Sequence, residues 1–306
     1  MYSVLGQMGL LIVCGAAVGI IRPGGLSADQ IRQVLTTLVF NLLLPALVLS
    51  VLWRAELGWE TLKISIFGVA TILFGAGLTW LVSRVVSIDR RRLGAAMLAI
   101  TFANVTYLGL PVLEQTFGTW SRALVIQIDL FASFPMVLTL GNYIGRHYGE
   151  DGARQQPASI LRALLGTPPL LTALLALTLN LSGTPYPAWL DGTLSMLSGA
   201  VIPLMLISLG LGLRWDAWHW RNLPLGSVVL VGKLLLMPLF GLWLGLKLGF
   251  EGDKLSALVM ESGMPSMLLG VVYCDRWRLD TGFYAMIVAL TTAGALLTLP
   301  LWRHLP

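Results

Sequence analysis

Charge is scarce in this sequence. Asp, Glu, Lys and Arg make up 11% of its 306 residues, against about a quarter in soluble domains, which excludes an ordinary water-soluble fold. There are only three histidines, His147, His219 and His304, all in loops or the tail, and no HExxH, GxSxG, P-loop or Rossmann glycine pattern, so no enzyme class is indicated. Two cysteines, Cys14 and Cys274, form neither a disulfide framework nor a metal-ligand spacing, and no metal site is expected. Strict short alternation of apolar and polar residues is missing too, which excludes a membrane β-barrel. The first apolar stretch follows Met1-Tyr2-Ser3 without a basic leader region and reads as a retained helix, not a signal peptide. The net charge of +5 reflects basic membrane-flanking loops, not a nucleic-acid surface.

What is abundant is hydrocarbon. Hydrophobic residues make up 56% of the chain, in recurring stretches of about 20 residues, the length that crosses roughly 30 Å of bilayer core. The pattern predicts an all-α polytopic membrane protein with ten transmembrane helices, at 4–21, 31–53, 62–83, 93–113, 122–145, 162–181, 189–213, 223–248, 255–274 and 281–302. Ten of the eleven tryptophans, Trp243 excepted, mark segment ends or connections and suggest an interfacial belt. Thirteen arginines fall in the connections after segments one, three, five, seven and nine; six basic residues fall on the opposite side. The positive-inside rule then places both termini on the non-cytoplasmic side of the cell (inner) membrane.

The longest polar connection, 146–161, is read as a cytoplasmic linker between five segments in 1–145 and five in 162–306. Five is odd, so the halves enter the membrane from opposite sides, the topology of two inverted repeats. Pro45 and Ser50 in segment two match Pro203 and Ser208 in segment seven, and at a similar offset Asn104 in segment four matches Ser266 in segment nine.

Segments four and nine carry residues that suit membrane helices badly: Asn104, Thr106, Tyr107, Gly109 and Pro111 in one, Gly263, Pro265 and Ser266 in the other. Either these are ordinary proline kinks, or both helices break and line a mid-membrane binding site whose half-helix N-termini face an anion. Pro45 and Pro203 are further candidate breaks. Three ionisable residues lie deep in apolar stretches: Asp129 in segment five, with Ser133 on its face, Lys233 in segment eight and Glu261 in segment nine. They form either a coupling network that titrates or binds a cation, or a static ion pair that pins helices. Gly15, Gly19, Gly75 and Gly77 read as close helix packing.

Leu44-Pro45-Ala46, Asn104 followed by Gly109-Leu110-Pro111, and Met264-Pro265, set in ten segments, resemble the auxin efflux carrier family over nearly the whole chain, and the short central connection resembles its bacterial members. Plant members carry Pro before the helix-four Asn, where this chain has Ala103. The resemblance implies a scaffold part from helices one, two, six and seven. It also implies a transport part from helices three to five and eight to ten, with broken helices four and nine crossing as in bile-acid and sodium/proton carriers. The implied activity is export or uptake of a small organic anion, with Asn104 and Pro265 at the substrate. The residues themselves fit an auxin-like carboxylate or a dicarboxylate and indicate no cofactor; titratable Asp129, Lys233 and Glu261 favour H+ over Na+ as a coupling ion, with facilitated diffusion open. An ion exchanger, a membrane sensor and a homodimer formed through the scaffold helices stay open.

Overall fold

A computed structural model describes residues 2–55, 58–150, 166–213 and 220–304, with side chains from residue 6 onward. It is 84% helix, and among the described residues the extended pairing is a single antiparallel bridge between Ala103 and Ser266. The helices are α1 (Tyr2–Ile21), α2 (Ala28–Leu52), α3 (Trp59–Val85), α4 (Arg90–Thr101), α5 (105–117), α6 (Ser121–Tyr148), α7 (Pro168–Leu181), α8 (Ala188–Gly212), α9 (Trp220–Lys247), α10 (Gly252–Ser262), α11 (Gly270–Trp277) and α12 (Thr281–Arg303). Six of them, α2, α3, α6, α8, α9 and α12, are long and apolar enough to cross a membrane. Most of the expected linker, the start of the sixth expected segment, Arg214, Trp215 and Trp218 lie outside the described residues.

Three helix starts are closed by short polar side chains. Ser27 and Gln30 form a reciprocal capping box at α2, Asp89 accepts from the Arg91 and Arg92 amides at α4, and Asp280 accepts from the Phe283 amide at α12. Proline inside membrane helices is accommodated in another way. Pro45, Pro111, Pro135 and Pro238 each sit at the second position after a wide π turn, at Val39–Leu43, Val105–Gly109, Asp129–Ser133 and Gly232–Leu236. A proline has no N–H and its ring collides with the carbonyl four residues back; widening the preceding turn removes the collision without ending the helix. Pro45 and Pro111 are therefore corrected from breaks to continuous helix, as is Gly109 inside its π turn. Pro203 likewise lies within α8, which tightens only at Ala200 (φ −78°, ψ −15°).

The chain forms two compact units. The first comprises Met1–Thr61, Leu110–Ile126 and Ala158–Gly212. In it α1 runs along the second half of α8, and the end of α2 packs on α7 and α8. The α1–α8 approach is backbone on backbone: a Cβ on Gly15 would lie 2.1 Å from the Ile207 carbonyl oxygen, and one on Gly210 1.9 Å from that of Ile12. Asn180 closes the end of α2 by donating its amide to the carbonyls of Leu52, Trp53 and Ala55 at 3.1, 2.9 and 2.8 Å.

The second unit comprises Leu62–Gly109, Gln127–Pro157 and Leu213–Pro306. Here α12 lies against α4, α9, α10 and α11, and α9 lies against α10. At one end Glu150 pairs with Arg91 and Arg278 at 3.1 and 3.3 Å, while Asp280 pairs with Arg92 at 2.9 Å. Two tryptophans expected at the interfacial belt are instead packed inside this unit. Trp302 is buried and donates to the Leu234 carbonyl at 3.0 Å, and Trp277 is buried against Gly145. Trp59, Trp80, Trp120, Trp189 and Trp220 stay exposed, with leucines such as Leu73, Leu81, Leu246 and Leu297, the outward apolar surface of a chain whose solvent is lipid. Gly77 also differs from expectation, since nothing lies within 4 Å of a Cβ built there.

Gly210→Ala should therefore lower stability by about 1–3 kcal/mol, the usual range for overpacking. Gly77→Ala should stay within about 0.5 kcal/mol of the parent. Melting curves of both variants in detergent check the pair, and equal stabilities would refute the close α1–α8 approach.

Candidate functional site

The second unit contains two interrupted helices. Residues 102–104 separate α4 from α5, and residues 263–269 separate α10 from α11. Proline is present at only one of them, since Ala103 stands where plant members of the resembled family carry it. The α4 break survives because its backbone finds partners across the gap. The Asn104 amide donates to the Pro265 carbonyl at 2.8 Å, and the Met267 amide donates to the Phe102 carbonyl at 3.0 Å, forming the Ala103–Ser266 bridge. A break that exposed these groups to hydrocarbon would cost several kcal/mol per group.

Each loose helix end is answered in turn. At the end of α4 the Leu98 carbonyl takes the Phe102 amide, the Ala99 carbonyl takes the Ser266 hydroxyl at 2.8 Å, and the Ile100 carbonyl takes the Lys233 ammonium at 3.1 Å. The Asn104 carbonyl accepts from the Leu108 and Gly109 amides at 3.3 and 3.0 Å and so begins α5. Across the other break, the Ser266 amide donates to the Thr291 hydroxyl at 3.1 Å, and the Tyr284 hydroxyl donates to the Met267 carbonyl at 2.7 Å.

The ionisable residues are distributed by these helix ends. Lys233 is fully buried in the π turn of α9, its ammonium against the carbonyl end of α4, where a helix dipole favours a cation. Asp129, half-buried in the π turn of α6, accepts a hydrogen bond from the Thr106 hydroxyl in the first turn of α5, the end that favours an anion. Glu261 has no such support. It is 2% exposed, sits in the last turn of α10 over the negative end of that helix, and neither carboxylate oxygen has a hydrogen-bond partner. The carboxylate lies against the Gly109 backbone, where a Cβ would come within 2.5 Å of both oxygens. The charges of Asp129 and Lys233 both act on it.

Lys233, Glu261 and Ser133 line one small cavity of about 20 Å3, together with Thr71, Thr101 and Ser262, against an apolar wall that includes Phe67, Ile128 and Met237. That volume holds about one water molecule. The Thr71 and Ser262 hydroxyls donate to carbonyls of their own helices, whereas the buried Thr101 hydroxyl has no partner. Asn104, Pro265 and Ser266 meet at the bridge beside this cavity, with the Asn104 side-chain amide nitrogen buried and unpartnered. Thr106 is half-buried with Asp129, and Tyr107 is half-buried in the same π turn. Pro45 and Pro203 belong to the other unit and Pro111 lies in the continuous part of α5.

Thr71, Thr101 and Ser262 were not anticipated as lining residues, because a lone hydroxyl in an apolar helix is common. The prolines at 135 and 238 were the missed signal. Each follows a polar or charged residue by five or six positions, and each marks a π turn that turns Asp129 or Lys233 inward.

Gly109→Ala should push the Glu261 carboxylate out of place and lower stability by about 1–3 kcal/mol. Combined with Glu261→Ala, the loss should be less than additive by at least about 0.5 kcal/mol, as for residues in contact. A double-mutant cycle of melting curves measures this, and strict additivity would mean the two groups do not touch.

A family model described as "Membrane transport protein" matches residues 10–303. An uncharacterized transporter of Methanothermobacter thermautotrophicus is 29% identical over 287 residues, which cover 92% of each chain. An uncharacterized transporter of Methanocaldococcus jannaschii is 26% identical over 91% of each chain. The uncharacterized transporter YfdV of Escherichia coli is 25% identical over 91% of this chain and 89% of its own.

Proposed function

Because the chain belongs to the auxin efflux carrier family of membrane transport proteins, we propose that it is a secondary carrier moving a small organic anion across the membrane by alternating access. The observation that supports this most directly is the pair of interrupted helices, bridged at Ala103 and Ser266 beside a buried ammonium. Irregular backbone inside a membrane protein is tolerated where it lines a binding cavity, and half-helix ends supply fixed partial charges to an ionic substrate.

In this reading the ten segments form two inverted five-helix repeats, and helices three to five and eight to ten move against the scaffold from one, two, six and seven. Both termini face away from the cytoplasm, and a homodimer would form through the scaffold. The substrate is a carboxylate, auxin-like or a dicarboxylate. Asn104, Thr106, Tyr107, Ser133, Pro265 and Ser266 contact it, and Asp129, Lys233 and Glu261 form the coupling network. The proton is preferred to sodium as coupling ion, because Asp129, Lys233 and Glu261 are all titratable groups. The rival reading, a sodium/proton-type ion exchanger, draws on the cavity volume of about 20 Å3, which suits a lone ion or water.

Uptake of radiolabelled carboxylates into proteoliposomes tests the reading. Asn104→Ala and Pro265→Ala should each reduce flux at least about tenfold, some 1.4 kcal/mol, in protein that remains folded. Unchanged flux in both variants would sink the crossover as a substrate site. Sodium or proton exchange without any carboxylate dependence would select the exchanger.

A further inference from the structure

Three ionisable groups share the site, two acids and one base, and the two acids are not equivalent. Asp129 is held by the Thr106 hydroxyl at the positive end of α5 and has its own stabilising partner. Glu261 lies over the negative end of α10 with no donor on either oxygen, and among the described residues the cation that shares its cavity is Lys233. Lys233 in turn makes a single hydrogen bond, to the Ile100 carbonyl, which leaves two of its three N–H donors uncommitted. A buried ammonium with spare donors and a carboxylate with spare acceptors thus line the same cavity without a hydrogen bond between them, a charge pair open to exchange.

Resting on the organic-anion reading above, we infer that the site takes a monoanion together with one proton: the proton goes to the Glu261 carboxylate, and the anionic group of the substrate replaces Glu261 as the counter-ion of Lys233. Before the exchange the pair is ammonium and carboxylate. Afterwards it is ammonium and bound anion, with Glu261 neutral, so the net charge of the buried site is unchanged. An anion arriving without the proton would leave two negative groups facing one buried cation beside Asp129, a costly arrangement in low dielectric. With room for about one water molecule, at about 20 Å3, the cavity is too small for an aromatic acid, so the substrate enters when the lining helices part. The charged groups facing Glu261 are Lys233 on α9 and Asp129 on α6; α4, α3 and α5 offer it Thr101, Thr71 and the Gly109 backbone.

Equilibrium binding of benzoate and of benzenesulfonate to the purified full-length protein, between pH 6 and 8, tests the exchange. Both probes are fully ionised there, and the sulfonate cannot carry the proton itself. One linked proton makes the dissociation constant of each probe rise about tenfold per pH unit. A pH-sensitive dye in weak buffer should report about one proton taken up per bound sulfonate. Glu261→Gln, a neutral stand-in for the protonated acid, should abolish both the slope and the uptake and bind at pH 8 as tightly as at pH 6. A slope seen only with benzoate, or one that persists in Glu261→Gln, would assign the proton elsewhere and overturn the exchange. Tight pH-independent binding by the parent would overturn it as well. Failure of the parent to bind any anion at either pH would instead bring down the anion-carrier reading, and this inference with it.

Discussion

Backbone groups released by the two helix breaks must be satisfied inside a chain whose surroundings are hydrocarbon, and the rest of the second unit is arranged to meet that demand. Two antiparallel hydrogen bonds, from Asn104 to Pro265 and from Met267 to Phe102, take up part of it. Side chains from distant helices take up more: Ser266 on Ala99, Lys233 on Ile100, Thr291 at the Ser266 amide and Tyr284 on Met267. Close packing follows from the same need. A Cβ on Gly270 would lie 1.9 Å from the Tyr284 hydroxyl that makes one of these bonds, and one on Gly109 would collide with Glu261.

The same geometry orders the charges. Each helix interruption creates one positive and one negative end, so four partial charges lie close together in the interior. Lys233 takes the negative end of α4 and Asp129 the positive end of α5. Glu261 is left over a negative end with neither oxygen bonded. A carboxylate in that position is poorly held in its charged form except through Lys233. Wide π turns contribute to the placement, since they re-aim Asp129 and Lys233 while letting Pro135 and Pro238 remain in continuous helix.

Much of this was legible in the residues. Composition alone requires a helical membrane protein, because 11% charge cannot solvate a surface in water. Unpaired charge and proline inside apolar runs pointed to Asp129, Lys233, Glu261 and Pro265, since each costs free energy that an ordinary membrane helix would avoid. Other positions were misread for reasons that are local. Pro45 and Pro203 look like breaks by the rule that proline lacks a donor, yet a π turn before Pro45 absorbs its misfit and α8 stays helical through Pro203. Trp277 and Trp302 resemble interfacial tryptophans by their place at segment ends, but packing draws both inward.

By itself the sequence determined that the chain lies in a membrane, that its membrane segments are helical, and that the fourth and ninth of them are under conformational stress; these are properties of composition and local covalent chemistry. Only the tertiary structure decided that α4 breaks without a proline, that Ala103 and Ser266 pair, and that Lys233, Glu261 and Thr101 share one small cavity. The reason is sequence distance. Residue 103 is stabilised by residue 266, and the Lys233 ammonium by the carbonyl of residue 100, contacts spanning more than a hundred positions that no local pattern encodes.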